Sequence, residues 1–251
     1  MSYRFIRKFL PFLIFWQGFL LLFFFGWWML YGLDLMVDEN THYLQILRFF
    51  YRQYDLREGM TMIPGYHLFM AFWGRVWYQE SVLFMRSVTT IMSVACVGIF
   101  YLCTRIIQPD KASLKTGQFF TLPIIFPFFF LLYTDIFSVF LVSIMVYFSL
   151  RKHYPIAGFF GVLSLLVRQN NIIWFGIPLW FIIKDLKGIK TLRTKIKTLS
   201  WSVWMFLLGI GGFLFFVWKN GSVALGDQSM HPDFGLFTGN IFFGLFLVPF
   251  L

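Results

Sequence analysis

Uncharged apolar runs follow one another along almost the whole chain, and charged residues are confined largely to the stretches between them. A membrane-spanning helix needs about 20 mainly apolar residues, so the 59% of the chain that is hydrophobic can fill about seven or eight helices. Only 13% of the residues are charged, against about 25% in soluble domains. These proportions exclude a soluble enzyme, a disordered chain and a secreted disulfide-linked scaffold. The expected fold class is an all-α polytopic membrane protein.

Eight apolar runs predict eight transmembrane helices in one membrane domain over residues 1–251, since no repeat or linker divides the chain. The runs cover residues 9–32, 82–107, 119–133, 136–150, 155–167, 172–183, 199–217 and 234–251. The first two enclose a mainly polar segment, 33–80, in which apolar positions recur with helical spacing. We expect this loop to carry two interfacial helices, the second over 62–77.

The distribution of basic residues predicts the orientation, because short cytoplasmic loops carry an excess of Lys and Arg. With the N-terminus in the cytosol, fourteen of the 21 basic residues fall on the cytosolic side, six of them in a basic loop at 184–198. This distribution explains the net charge of +10 without a nucleic-acid partner. The 33–80 loop and three later polar clusters then lie on the outer side, where they can form one site.

Two acidic residues, Asp38 and Glu39, open the outer loop. A carboxylate there can act as a general base at the membrane face. The alternative is that the pair caps the following helix, a position that suits acidic residues. His42 lies one turn after Asp38 on the same helical face. No third ligand is nearby, so we expect no metal.

The other outer clusters contain Asp135, the string Arg168-Gln169-Asn170-Asn171, and Asp227 with His231. The run at 155–167 is short, because 13 helical residues span about 20 Å and a hydrocarbon core is about 30 Å thick. Because this run is too short to cross the core, we expect the Arg168 turn that follows it to lie below the outer membrane surface. A charge at that depth is costly and is a functional candidate. Arg168 offers a planar donor fork that suits a lipid phosphate. The alternatives are a hairpin turn for Asp135 and an interfacial anchor for Arg168.

Three polar or reactive residues of the 82–107 run are expected to have structural and not catalytic roles. Arg86, near the start of the run, is expected to extend its charge to the interface. Cys96 and Cys103 are interpreted as helix residues and not as a disulfide or metal site. The sequence also lacks the common nucleotide-binding and hydrolase motifs.

Five motifs follow one another in the order Asp38-Glu39-x-x-His42, Ile63-Pro64-Gly65, Tyr133-Thr134-Asp135, Arg168-Gln169-x-Asn171-Ile172-Ile173-Trp174, and Asn220-Gly221 with Gly226-Asp227-x-Ser229-x-His231. This set resembles the eukaryotic dolichyl-phosphate-glucose α-1,2-glucosyltransferases. Those enzymes add the terminal glucose of the lipid-linked oligosaccharide in the endoplasmic reticulum. The string at 168–174 is the most specific element, and the ordered set is much stronger than any one part.

The resemblance implies a GT-C glycosyltransferase fold in the endoplasmic reticulum membrane, with the site on the lumenal side. It implies an inverting transfer of glucose from dolichyl-phosphate glucose to the diglucosylated lipid-linked oligosaccharide, for protein N-glycosylation and without a cofactor. By analogy with related GT-C enzymes, Asp38 is the candidate base, with Glu39 as the alternative. Arg168, helped by Gln169 and Asn171, is the candidate for stabilising the phosphate. The residues left to orient donor or acceptor are His42, Asp135, Asp227 and His231.

Members of that family are nearly twice this long, and the resemblance covers their N-terminal half. Leu251 ends an apolar run without a charged anchor, so we expect a fragment, a truncated gene model or a reduced homologue. Three other hypotheses stay open. The chain is a GT-C transferase for another polyprenyl-phosphate sugar, an inactive paralogue that serves as a membrane scaffold or regulatory subunit, or a transporter or channel. The last is disfavoured because the polar groups gather on one side of the membrane.

Overall fold

The computed structural model of the chain describes residues 3–189 and 191–225, with side chains from residue 15 onward. Within these ranges the chain forms nine α-helices and three 3-10 helices, and no β-strand. The all-helical prediction is therefore confirmed for the described part. The α-helices are α1 (Tyr3–Met29), α2 (Glu39–Phe50), α3 (Gly65–Trp77), α4 (Val82–Ile107), α5 (Ala112–Phe120), α6 (Thr134–Leu150), α7 (Tyr154–Leu165), α8 (Gly176–Lys187) and α9 (Leu192–Asn220).

Two of the described helices, α4 and α9, are long and apolar enough to cross a membrane. Only 22% and 17% of their most apolar windows are buried inside the protein. A soluble protein rarely leaves such large apolar surfaces exposed, so these helices are suited to lipid. Shorter apolar helical stretches are Phe15–Met29, Thr134–Leu150 and Tyr154–Leu165. The count of eight crossings and the orientation stay predictions.

The predicted crossing at 119–133 is not one helix. α5 ends at Phe120, and Pro123 and Pro127 follow within seven residues. Proline lacks the N–H that continues a helix, and its ring clashes with the preceding turn. The segment therefore turns and continues as a short 3-10 helix, Phe126–Phe129.

Two other predicted segments have different boundaries in the structure. The run at 172–183 is divided between a 3-10 helix, Gln169–Phe175, and α8. The basic segment at 184–198 is largely helical, because α8 continues to Lys187 and α9 begins at Leu192. The predicted basic loop is thus reduced to a short link between two helices.

The outer loop contains two helices, as its apolar spacing predicts. α2 packs against α3, and α3 also contacts α4. The opposite face of α3 exposes Leu68, Phe72 and Val76, which are four residues apart. An apolar face of this kind suits contact with a membrane interface. The interfacial position itself stays a prediction.

A shared core joins this loop to the longer helices. Ile46 of α2, Met70 of α3, Met85 of α4 and Leu141 of α6 are buried in one apolar cluster. Burial of such side chains stabilises each by about 1.5–3 kcal/mol. The cluster thus joins α2 and α3 of the outer loop to α4 and α6.

Gly65 fixes the start of α3 against the chain segment that leads to Arg168. Its N–H donates to the carbonyl oxygen of Leu166 at 2.9 Å. A Cβ atom on Gly65 would lie 2.4 Å from that oxygen. Only glycine allows the two backbones to approach this closely.

Candidate active site

Three of the four polar clusters predicted on the outer side meet in the structure. The main-chain N–H of Asp38 donates to the hydroxyl of Tyr133 at 3.2 Å. The guanidinium of Arg168 pairs with the carboxylate of Asp135 at 3.0 Å. His42 lies close enough to Asp38, Asp135 and Arg168 for all three charges to act on its ring. The three clusters therefore form one site near the first turns of α2 and α6.

Within the part of the chain that the structure describes, the carboxylate of Asp38 has no protein partner. The residue precedes α2, but its side chain makes no capping hydrogen bond. It is exposed, and within the described residues its carboxylate takes part in no hydrogen bond or ion pair. The capping alternative therefore does not apply to Asp38. The main-chain hydrogen bond to Tyr133 fixes the position of the residue, and the carboxylate stays available to accept a proton from a ligand.

Glu39, in contrast, is fully buried and saturated with donors. Its oxygens accept from Nε and Nη2 of Arg86 at 3.1 and 2.7 Å. The main-chain N–H groups of Met36 and Leu132 also donate to it, each at 2.9 Å. Four donors occupy the roughly four acceptor positions of a carboxylate. We therefore assign Glu39 a structural role and do not retain it as the alternative base.

The side chain of Arg86 does not extend to the interface as expected from the sequence. It is only 2% exposed. Besides binding its carboxylate partner, it donates to the carbonyl oxygens of Leu30, Leu33 and Asp34 at 2.8–3.1 Å. Arg86 thereby joins the backbone after α1 to α4. The ion pair fixes the chain on both sides of Asp38.

Arg168 is held in a defined orientation but keeps donors for a ligand. Its Nε donates to the hydroxyl of Thr134 at 2.9 Å, and its Nη2 donates to Asp135 at 3.0 Å. The side chain is about one-third exposed, at 32%. Among the described residues, these bonds use two of the five N–H groups of a guanidinium, which leaves three for ligand oxygens. The arrangement suits a phosphate, whose oxygens accept several such bonds.

Gln169 and Asn171, which we predicted to help bind substrate, are buried and use their amides inside the protein. Gln169 donates to the carbonyl oxygens of Thr61 and Val223 at 2.8 and 2.9 Å. Asn171 exchanges hydrogen bonds with the hydroxyl of Ser138 in α6. Both side chains therefore join chain segments around the site. Their predicted contact with substrate stays a prediction.

Sequence analysis missed His67 of α3, which contacts His42. The Nδ1 atom of His42 and the Nε2 atom of His67 are 2.9 Å apart, and the rings stack with centroids 5.1 Å apart. Burial lowers the pKa of His67 well below 6.5. Burial also lowers the pKa of His42 and outweighs the opposite effect of Asp38. A single histidine in an apolar helix gave no signal, because only the packing of α2 on α3 creates the pair.

The remaining predictions concern a metal ion, the two cysteines, and Asp227 with His231. Within the described residues, no three His, Cys, Asp or Glu side chains are grouped so that they could hold a metal ion. Cys96 and Cys103 are buried free thiols of α4. Asp227 and His231 lie outside the described residues, so their part in the site stays a prediction.

A family model matches residues 33–189, which is more than half of the chain and includes Asp38, Asp135 and Arg168. It describes the DIE2/ALG10 family. The chain belongs to this family. The match to the DIE2/ALG10 family confirms the resemblance predicted from the ordered motifs.

Several curated DIE2/ALG10 relatives are named Dol-P-Glc:Glc(2)Man(9)GlcNAc(2)-PP-Dol alpha-1,2-glucosyltransferase. The relative from Rattus norvegicus is 25% identical, in a match that covers 78% of this chain and 52% of the relative. The relative from Drosophila melanogaster is 25% identical, in a match that covers 79% of this chain and 51% of the relative. The relative from Candida albicans is 30% identical, in a match that covers 56% of this chain and 36% of the relative. The chain spans about half the length of the rat and fly relatives, and no solved structure matches it.

Proposed function

We propose that this chain transfers glucose from dolichyl-phosphate glucose to the diglucosylated lipid-linked oligosaccharide and forms the terminal α-1,2 linkage. We propose further that it is a multi-pass GT-C protein of the endoplasmic reticulum membrane, with its site facing the lumen. The names of the DIE2/ALG10 relatives support the reaction. The structural observation that carries the proposal is the unpartnered Asp38 carboxylate, which lies in one cluster with the Arg168 guanidinium.

The reaction needs a group that accepts a proton from the acceptor sugar. Asp38 takes the proton of the acceptor 2-hydroxyl while that oxygen forms a bond to C1 of the glucose. The bond between C1 and the phosphate oxygen breaks, and dolichyl phosphate leaves with the electron pair. Attack from the opposite face converts the β-linked donor into an α-linked product. A positioned general base contributes about 10²–10⁴-fold to such a step.

The reaction also needs a group that stabilises the charge on the leaving phosphate. The three remaining N–H groups of Arg168 serve this purpose, because charge-assisted bonds are strongest where charge develops. Asp135 and Thr134 hold the guanidinium in one orientation, so the phosphate meets an ordered fork of donors. Since the leaving group is stabilised by a guanidinium, we expect neither a metal ion nor another cofactor.

Complementation of a cell that lacks the terminal glucosyltransferase tests this function. The cell expresses the wild-type chain, Asp38→Asn or Asp34→Asn, and its lipid-linked oligosaccharide is analysed for two or three glucoses. Asp34 is the matched control, because it is an exposed carboxylate of the same loop. We expect the third glucose with wild type and Asp34→Asn, but not with Asp38→Asn.

Two results would contradict the proposal. Rescue by Asp38→Asn at equal protein level would show that Asp38 is not the base. Absence of rescue by wild type, with the protein present in the membrane, would refute the activity for this chain alone. That second result would favour another polyprenyl-phosphate sugar as donor, or a scaffold role.

A further inference from the structure

The contact between His42 and His67 has a consequence for the proton on each ring. The two nitrogens are 2.9 Å apart, so one proton lies between them and a neutral pair has one donor and one acceptor ring. The donor ring determines what the far nitrogen of His42, Nε2, presents. It presents an N–H if His67 donates, and a lone pair if His42 donates.

The surroundings of His67 favour His67 as the donor. His67 is fully buried, and its other nitrogen, Nδ1, has no hydrogen-bond partner within the described part of the chain. A proton on Nδ1 would be a buried side-chain N–H without an acceptor, which is rare in folded proteins. The ring therefore carries its proton on Nε2 and donates it to Nδ1 of His42. His42 must then carry its own proton on Nε2.

The charges around His42 favour the same arrangement. The charged groups that act on its ring are Asp38, Glu39, Asp135 and Arg168. Glu39 and Asp135 each have a cationic partner, so among the described residues Asp38 is the carboxylate of this group that leaves an uncompensated negative charge near the ring. A nearby negative charge favours an N–H over a lone pair, and Nε2 is the nitrogen of His42 that can direct an N–H away from His67, because Nδ1 contacts that ring. His42 as a whole is buried, with 6% of its surface exposed. Within the described residues Nε2 makes no hydrogen bond, and it is not among the fully buried atoms without a partner, so it keeps the exposure that contact with a ligand needs.

We propose that His67 is a positioning residue that holds the His42 proton on Nε2, and that this N–H binds a hydroxyl oxygen of the acceptor sugar beside Asp38. The inference rests on the proposed function and names the part of the substrate that His42 contacts. A sugar hydroxyl fits this position, because it donates its proton to Asp38 and accepts the N–H of His42. The phosphate of the donor lipid is bound by Arg168 instead.

Nitrogen-15 NMR tests the proton positions without requiring activity. The chain contains only four histidines, so labelled histidine in the purified protein gives few signals, and His42→Gln and His67→Gln assign them. At pH 7 we expect a protonated Nε2 and an unprotonated Nδ1 on both rings. A protonated Nδ1 on either ring would overturn the proposal. This result stands even if the chain transfers no glucose, so it separates failure of this inference from failure of the proposed function.

Steady-state kinetics test the contact with the acceptor. His67→Phe removes the donor to His42, whereas His67→Gln places an amide N–H near the position of Nε2. We expect His67→Phe to raise the KM for the acceptor by about 5–10-fold, the effect of one weakened hydrogen bond, with the donor KM unchanged. His67→Gln should restore the acceptor KM to within about twofold of wild type.

The controls separate positioning from a purely structural effect. His153 is exposed in the link between α6 and α7, and His153→Phe should leave both KM values unchanged. If His67→Gln is as impaired as His67→Phe, or if the two KM values rise equally, His67 has no role specific to the acceptor. Either result would overturn the proposal.

Discussion

Replacing Glu39 by Gln removes the negative charge from an ion pair whose side chains are 0% and 2% exposed. The variant preserves the shape of the side chain, and its amide oxygen still accepts hydrogen bonds. Arg86 nevertheless keeps a buried positive charge without a counter-charge. Removing one partner of a buried ion pair costs about 3–5 kcal/mol. In a chain of this size each kcal/mol shifts the melting temperature by about 2–4 °C, so we expect a decrease of about 6–20 °C.

Thermal unfolding of the detergent-solubilised protein, followed by tryptophan fluorescence, measures this shift. The matched control is Lys152→Met, which breaks an ion pair whose lysine is 68% exposed. Exposed pairs contribute about 0–1 kcal/mol, so this variant should melt close to wild type. If Glu39→Gln melts no lower than Lys152→Met, the structural assignment of Glu39 is wrong. Glu39 would then return as a candidate base.

Three further predictions concern pH, packing and metal removal. Acidification from pH 7 to pH 5 should lower the melting temperature, because unfolded histidines bind protons that His42 and His67, with lowered pKa values, do not. The free energy of unfolding should fall by at most about 1.4 kcal/mol per pH unit for each ring. This pH dependence should be smaller in His67→Phe. A melting temperature independent of pH would contradict the prediction. Gly65→Ala should destabilise the protein by about 1–3 kcal/mol. Gly98→Ala should not, because a Cβ atom there would meet no atom within 4 Å. Equal melting temperatures of the two variants would refute the backbone contact at Gly65. EDTA should leave the rate of glucose transfer unchanged, and a loss that added magnesium restores would contradict the role given to Arg168.

The long helices could be predicted from the sequence because hydrophobicity reports directly on burial in lipid or in a core. The run at 82–107 coincides with α4. The run at 119–133 does not form one helix, because hydrophobicity measures burial and not backbone continuity. Pro123 and Pro127 end the helix through a missing N–H, an effect to which a count of apolar residues is insensitive.

The charged residues of the candidate site could also be located from the sequence, since Asp38 opens the polar outer loop and Asp135 and Arg168 interrupt apolar sequence where a charge is costly. Their structural partners could not. Glu39 and Arg86 are 47 positions apart, and no local pattern encodes contacts of such separation. They arise when α2 packs against α3 and α4, which is also why the sequence did not distinguish the buried Glu39 from its exposed neighbour.

Glucose transfer in vitro tests the central claim, that Asp38 is the base of a lipid-linked glucosyltransferase. Membranes that contain the chain are supplied with dolichyl-phosphate glucose, labelled in the sugar, and with the diglucosylated acceptor. The wild-type chain should form the terminal α-1,2-linked glucose, and Asp38→Asn should lower the rate by at least about 100-fold at equal protein level. A rate for Asp38→Asn within about threefold of wild type would contradict the claim, because a general base contributes far more than that.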